Sequence, residues 1–101
     1  FTSLNAPHLF LVPIGLSAKT AAVKIAEDLR IHAFQVDIAY GDRALKGGMK
    51  AADKSGALYA AVIGDEELES GEIELKRMQD GTTLSVRISD LKSKLSTLIA
   101  Q

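Results

Sequence analysis

Cysteine is absent from the 101 residues, which excludes disulfide staples, thiolate nucleophiles and zinc–thiolate sites. Such a chain fits a reducing compartment. Histidine occurs only twice, as His8 and His32. His8 opens a strand pattern and His32 follows a helix pattern. Neither has a serine, cysteine or second histidine at a spacing that builds a catalytic or metal-binding set, so both read as surface or boundary residues. Long apolar runs are lacking too. The longest, residues 9–14, falls far short of the roughly 20 residues that span a bilayer. A basic, signal-like start is also missing, so no membrane association is expected. Charge of one sign does not dominate: 12 basic against 13 acidic residues leave a formal charge of -1. A general nucleic-acid coat protein would be basic, so any contact with nucleic acid must use a local patch. No glycine-rich phosphate loop follows the first strand, where Gly15-Leu16-Ser17 stands. No repeat or low-complexity stretch is seen.

What is present describes one globular domain, 47% hydrophobic and 25% charged. Residues 1–7 read as a linker or tail ending at Pro7, and residues 8–101 as the domain. The first residue is Phe1 and not Met, which suggests a piece of a longer chain. Residues 8–14, with Leu9, Phe10, Leu11 and Val12 uninterrupted, and residues 58–63 carry continuous apolar runs, the mark of strands buried on both faces. Residues 34–38 alternate strictly, as a strand near a sheet edge does. Between the first two strands, residues 18–31 carry Ala22, Ile25, Ala26 and Leu29 on one helical stripe, with Ser17 as the expected cap. A second helix is expected over residues 43–55, closed by Gly56 in a left-handed cap. Gly47 and Gly48 are poor helix residues and point to a close approach or an irregular first turn.

Asp65, Glu66, Glu67 and Glu69 read as an acidic loop. Ile73 and Leu75 alternate with Glu74 and Lys76 in a strand. Asp80-Gly81 suits a type I′ hairpin turn, and Leu84, Val86 and Ile88 alternate along the returning strand. Ser89 is the expected cap of a last helix facing inward through Leu91, Leu95, Leu98 and Ile99. The order βαβαβ, hairpin, helix defines an α/β class. Right-handed crossovers make the first three strands parallel in order 2-1-3. The hairpin extends the sheet beyond strand 3. About three helices then cover both faces, giving a three-layer α/β/α arrangement.

Carboxylates 65–67 could suggest a hard-cation site, but such a run is more often a solvated loop. A receiver-type phosphorylation site at Asp65 would need acids after the first strand, and Pro13-Ile14-Gly15 supplies none. Arg43, Lys46, Lys50 and Lys54 recur at spacings of three, four and four, which aligns them on one helix face. Ligands of open α/β sheets gather at the carboxyl ends of parallel strands, the rim marked by Gly15, Gly41 and Gly64. The basic helix and the acidic run both start there. Opposed charges at one rim suit a ligand bearing both phosphates and hydrogen-bonding bases.

The stretch LKGGMKAADKSGALYAAVIGDEELESGEIELKRM resembles the C-terminal anticodon-binding domain of class II aminoacyl-tRNA synthetases, most nearly the histidyl type. The features that carry it are Lys46, Met49-Lys50, Ala52-Asp53, Gly56-Ala57, Gly64-Asp65, Glu67, Gly71 and Lys76, in that order. The resemblance implies a mixed five-stranded sheet, order 2-1-3-4-5, with strand 4 antiparallel. It implies that Glu67 and Lys76 bind an anticodon base, with Asp42 beside them, and that Arg43, Lys46 and Lys50 hold phosphates. The implied partners are the tRNA anticodon loop and a parent catalytic domain. ATP and Mg²⁺ would act in that domain and no cofactor in this one. The parent would be a cytoplasmic, homodimeric enzyme that attaches histidine to tRNA. The family commonly has Gln or a basic residue where Gly48 stands, which implies one polar contact fewer. A regulatory or protein-interaction domain of a synthetase-like paralogue, without RNA specificity, is the alternative.

Overall fold

The computed structural model describes residues 7–39 and 45–99. The two uninterrupted apolar runs form the middle of the sheet. β1 (Leu9–Pro13) and β3 (Tyr59–Ile63) pair in parallel, from Leu9 against Tyr59 to Pro13 against Ile63. β2 (Val36–Ile38) flanks β1 in parallel. β4 (Glu72–Arg77) runs antiparallel to β3, and β5 (Thr83–Arg87) antiparallel to β4. The order is β2-β1-β3-β4-β5, as expected.

The described residues hold four α-helices where about three were expected. α1 (Leu16–Ile31) joins β1 to β2, and α2 (Leu45–Ser55) precedes β3. α3 (Asp65–Ser70) joins β3 to β4, and a 3₁₀ turn (Ile88–Asp90) leads into α4 (Leu91–Ile99). The step from β1 to β2 moves one way across the sheet and the step from β2 to β3 moves back. Right-handed crossovers in opposite directions place their helices on opposite faces. The core divides accordingly. Leu9, Leu11, Tyr59, Ala61, Ile63, Ile73 and Leu75 cluster with Ala18, Ala22, Ala26 and Leu29 of α1, Leu68 of α3, and Leu91 and Leu95 of α4. Phe10, Val12 and Ala60 cluster with Met49 and Ala52 of α2. Each buried leucine contributes about 1.5–3 kcal/mol.

Gly48 explains part of how α2 seats. A Cβ there would lie 2.3 Å from Val12 Cγ1, so the helix approaches β1 more closely than any side chain permits. The position faces the sheet, and its lack of a side chain is a packing feature of this chain.

Several local expectations change. Ser17 is not the cap of α1. The helix begins two residues earlier, with Gly15 at φ 98° as the N-cap and no side-chain cap bond. Ser89, expected to cap the last helix, lies inside the 3₁₀ turn that precedes it. The β4–β5 connection is not a type I′ turn, because that form requires positive φ at both central residues and of the two only Gly81 has it, at 78°. Instead Arg77 N–H donates to Thr82 O and Gly81 N–H to Arg77 O, closing a longer loop. Gly56 does close α2 with φ 78°. α1 ends in a Schellman motif: Ala33 sits at φ 71°, Phe34 N–H donates to Leu29 O, and Ala33 N–H to Arg30 O. Arg30 then donates from Nε and Nη2 to Val36 O at 3.2 and 2.6 Å, covering part of the β2 edge.

Candidate nucleic-acid interface

Strand alternation builds the site. On β4, Ile73 and Leu75 point into the core shared with α1. Glu72, Glu74 and Lys76 therefore point to the α2 side, and all three are exposed. Register places Arg87, Ser85 and Thr83 of β5 beside them. α2 packs mainly over β1 and β3, so this part of the sheet face is an open, polar floor with α2 standing along one side. Ser85 Oγ donates to Glu72 Oε1 at 3.4 Å across the floor.

The acidic run is a short helix and not a loop. Asp65, Glu66 and Glu67 occupy the first turn of α3, where the helix dipole favours negative charge. Leu68 packs into the core, and Gly71 ends the helix at φ 75°. Glu67 is the third helical residue, and its Oε1 accepts from Gly64 N–H at 2.7 Å. A Cβ built on Gly64 would meet that oxygen at 3.1 Å. Ile63 faces the α1 core and Gly64 is extended (φ -131°, ψ -170°), so its missing side chain would point to the α2 side. The Glu67 Oε1 is thus held at the carboxyl end of β3, next to the position on the α2 side where a Gly64 side chain would begin.

Lys76 is in register with Ala60, four residues before Gly64. At about 3.3 Å per residue the two levels are about 13 Å apart along the strand. Both groups border the stretch of β4 between those two levels. On α2, Lys50 and Lys54 are exposed beside an open concavity of about 660 Å³ lined also by Gly47 and Asp53. Lys46 lies within α2; Asp42 and Arg43 lie outside the described residues.

The remaining candidates have local roles. His8 Nδ1 accepts from Gln35 N–H at 3.0 Å, and its ring meets Phe34 edge-on with centroids 6.0 Å apart. His32 Nδ1 bonds Asp28 O at 2.9 Å, and Lys92 Nζ lies 3.4 Å from its Nε2. Among the described residues no acidic or histidine cluster could hold a metal ion, and no helix is long and apolar enough to cross a membrane. Sequence reasoning missed Gly64 as the partner of Glu67. The available signal was the Gly-x-x-Glu spacing of a half capping box.

Together these features define an α/β binding domain with a charged, open sheet face bordered by a lysine-bearing helix. Residues 8–98 match the family described as "Anticodon binding domain", and the chain belongs to that family. It is 46% identical to histidine–tRNA ligase of Rhodococcus erythropolis over 91 residues, covering 90% of this chain and 22% of the relative. It is 45% identical to the same-named protein of Staphylococcus carnosus over 85 residues, covering 84% and 20%. Apo histidyl-tRNA synthetase of S. aureus superposes with a TM-score of 0.86 at 36% identity, over 91% of this chain and 24% of that one. The Nostoc histidyl-tRNA synthetase, at 23% identity and TM-score 0.84 over 93% of this chain and 23% of that one, shares the fold. The chain thus spans about a fifth of the length of the curated relatives it matches.

Proposed function

We propose that this chain reads the anticodon loop of tRNA as part of a histidine–tRNA ligase. What supports this reading is Glu67 tethered by Gly64 N–H at the carboxyl end of β3, with Lys76 exposed on the α2 side of the neighbouring strand. Single-stranded loops are read on the edges of splayed bases. Glu67 accepts from the N1–H and N2–H of guanine, using the second lone pair of Oε1 and those of Oε2. Lys76 donates to the acceptors of the opposite edge, O6 and N7. Lys50, Lys46 and Arg43 hold phosphates and set register without specifying sequence, and Asp42 is a further candidate contact to the base. The floor of β4 and β5 supports the neighbouring nucleotides.

In the parent protein, ATP and Mg²⁺ act in a separate catalytic part that attaches histidine to the tRNA, and the parent is a cytoplasmic homodimer. This domain contributes recognition, which raises the effective concentration of the correct tRNA at that catalytic part. The test is binding of tRNA variants that differ only in the anticodon. The unaltered protein should discriminate among them, and Glu67→Gln should lose discrimination, because the amide keeps the bond from Gly64 but presents a donor to the base. Equal binding of all anticodons by the unaltered protein contradicts the reading and favours a protein-interaction domain.

A further inference from the structure

We propose that Gly64 is a positioning residue for base reading, a role that rests on the RNA-reading function above. Two independent features of this residue act on one atom. Its N–H donates to Glu67 Oε1 at 2.7 Å, and its missing Cβ leaves the space in which that oxygen lies, 3.1 Å from where a Cβ would stand. Its backbone, at φ -131° and ψ -170°, is one that any residue adopts. Conformational freedom therefore does not account for glycine here, and the space beside the carboxylate does.

The consequence is a fixed rotamer. A glutamate on an exposed helix turn ordinarily samples many side-chain states and loses that freedom on binding. Here one oxygen is already tethered to the strand end, and no further hydrogen bond or ion pair engages Oε2 among the described residues. The carboxylate is presented toward the floor before RNA arrives. Its alignment with two adjacent N–H donors becomes a property of the free protein. A base offering one donor, or none, gains less from the same preorganised pair of oxygens.

Adding a Cβ at Gly64 forces the flexible carboxylate, and not the backbone, to move by a few tenths of an ångström. The expected result is lost selectivity without lost folding. The experiment uses the full chain and two RNA stem-loops that carry guanosine or inosine at the read position; inosine keeps N1–H but lacks the N2 amine. Fluorescence anisotropy should give a guanosine preference of roughly tenfold, or about 1.4 kcal/mol, for the unaltered chain. Gly64→Ala should bring that preference close to one, with an unchanged salt slope and urea midpoint. Glu67→Asp, one methylene too short to reach the Gly64 N–H from its helix position, should likewise bring the preference close to one while keeping the charge, with the urea midpoint lowered by the lost cap bond. Retention of the full preference by both variants overturns the role of Gly64 and leaves the reading function standing. Absence of any preference in the unaltered chain overturns both.

Discussion

Gly48→Ala tests how α2 is seated on the sheet. In an ordinary helix interior this change stabilises by about 1 kcal/mol, because glycine gives up more backbone freedom on folding. At this position the new Cβ falls 2.3 Å from Val12 Cγ1. Carbon atoms settle at about 3.5–4.0 Å, so α2 and β1 must separate by about 1 Å or more. Both partners are held: Val12 in β1 is 1% exposed, and Ala52 on the next turn of α2 is fully buried. Overpacking of this kind costs about 1–3 kcal/mol. The net expectation is destabilisation of up to about 2 kcal/mol after the propensity gain is offset. Urea unfolding followed by circular dichroism should show a lower midpoint at unchanged slope. Val12→Ala removes the two methyls in the way. The double variant should therefore be more stable than the sum of the single changes by at least about 0.5 kcal/mol. A Gly48→Ala chain that gains about 1 kcal/mol, with no coupling to Val12→Ala, refutes the close approach.

Other outcomes follow from the same structure. Lys50→Ala should weaken binding of every RNA alike and reduce the slope of log K against log salt by about one, measured by anisotropy across a salt series. Ala33→Gly should raise stability in urea by up to about 1 kcal/mol, since Ala33 holds φ 71° at the end of α1. Leu95→Ala, in the core beneath α4, should cost about 2–5 kcal/mol by the same assay. Asp80 has its carboxyl below the usual range because the Thr82 hydroxyl and amide donate to it and Arg77 lies 3.7 Å away. A depressed carboxyl contributes stability above its unfolded value. That contribution is lost as pH falls from about 3.8 through the lower folded value. An NMR titration of the Thr82 amide should show its shift changing only in that acidic window.

Strand order was readable because two apolar runs, one alternating segment and a hairpin leave a single right-handed arrangement. The opposed faces of α1 and α2 follow from the same rule. The local termini were less readable. Ser17 and Ser89 are good caps by residue type, but Gly15 and the 3₁₀ turn set the helix starts. Ala33 carries no sign in its residue type of the left-handed backbone that closes α1, with Phe34 N–H on Leu29 O and Ala33 N–H on Arg30 O. The acidic run hid a helix because three carboxylates look solvated, whereas Glu67 and Leu68 in fact cap and anchor it. Glu67 and Lys76 emerged from a resemblance. Their relation in the fold depends on register and on the direction of Gly64, neither of which a linear pattern displays.

Amide chemical-shift mapping of the labelled chain with an anticodon stem-loop addresses the central claim most directly. Perturbations should concentrate on Gly64, Glu67, Glu74, Lys76 and Lys50, on the α2 side of the sheet. Shifts confined to α1 and α4, with those five residues unmoved, would contradict it.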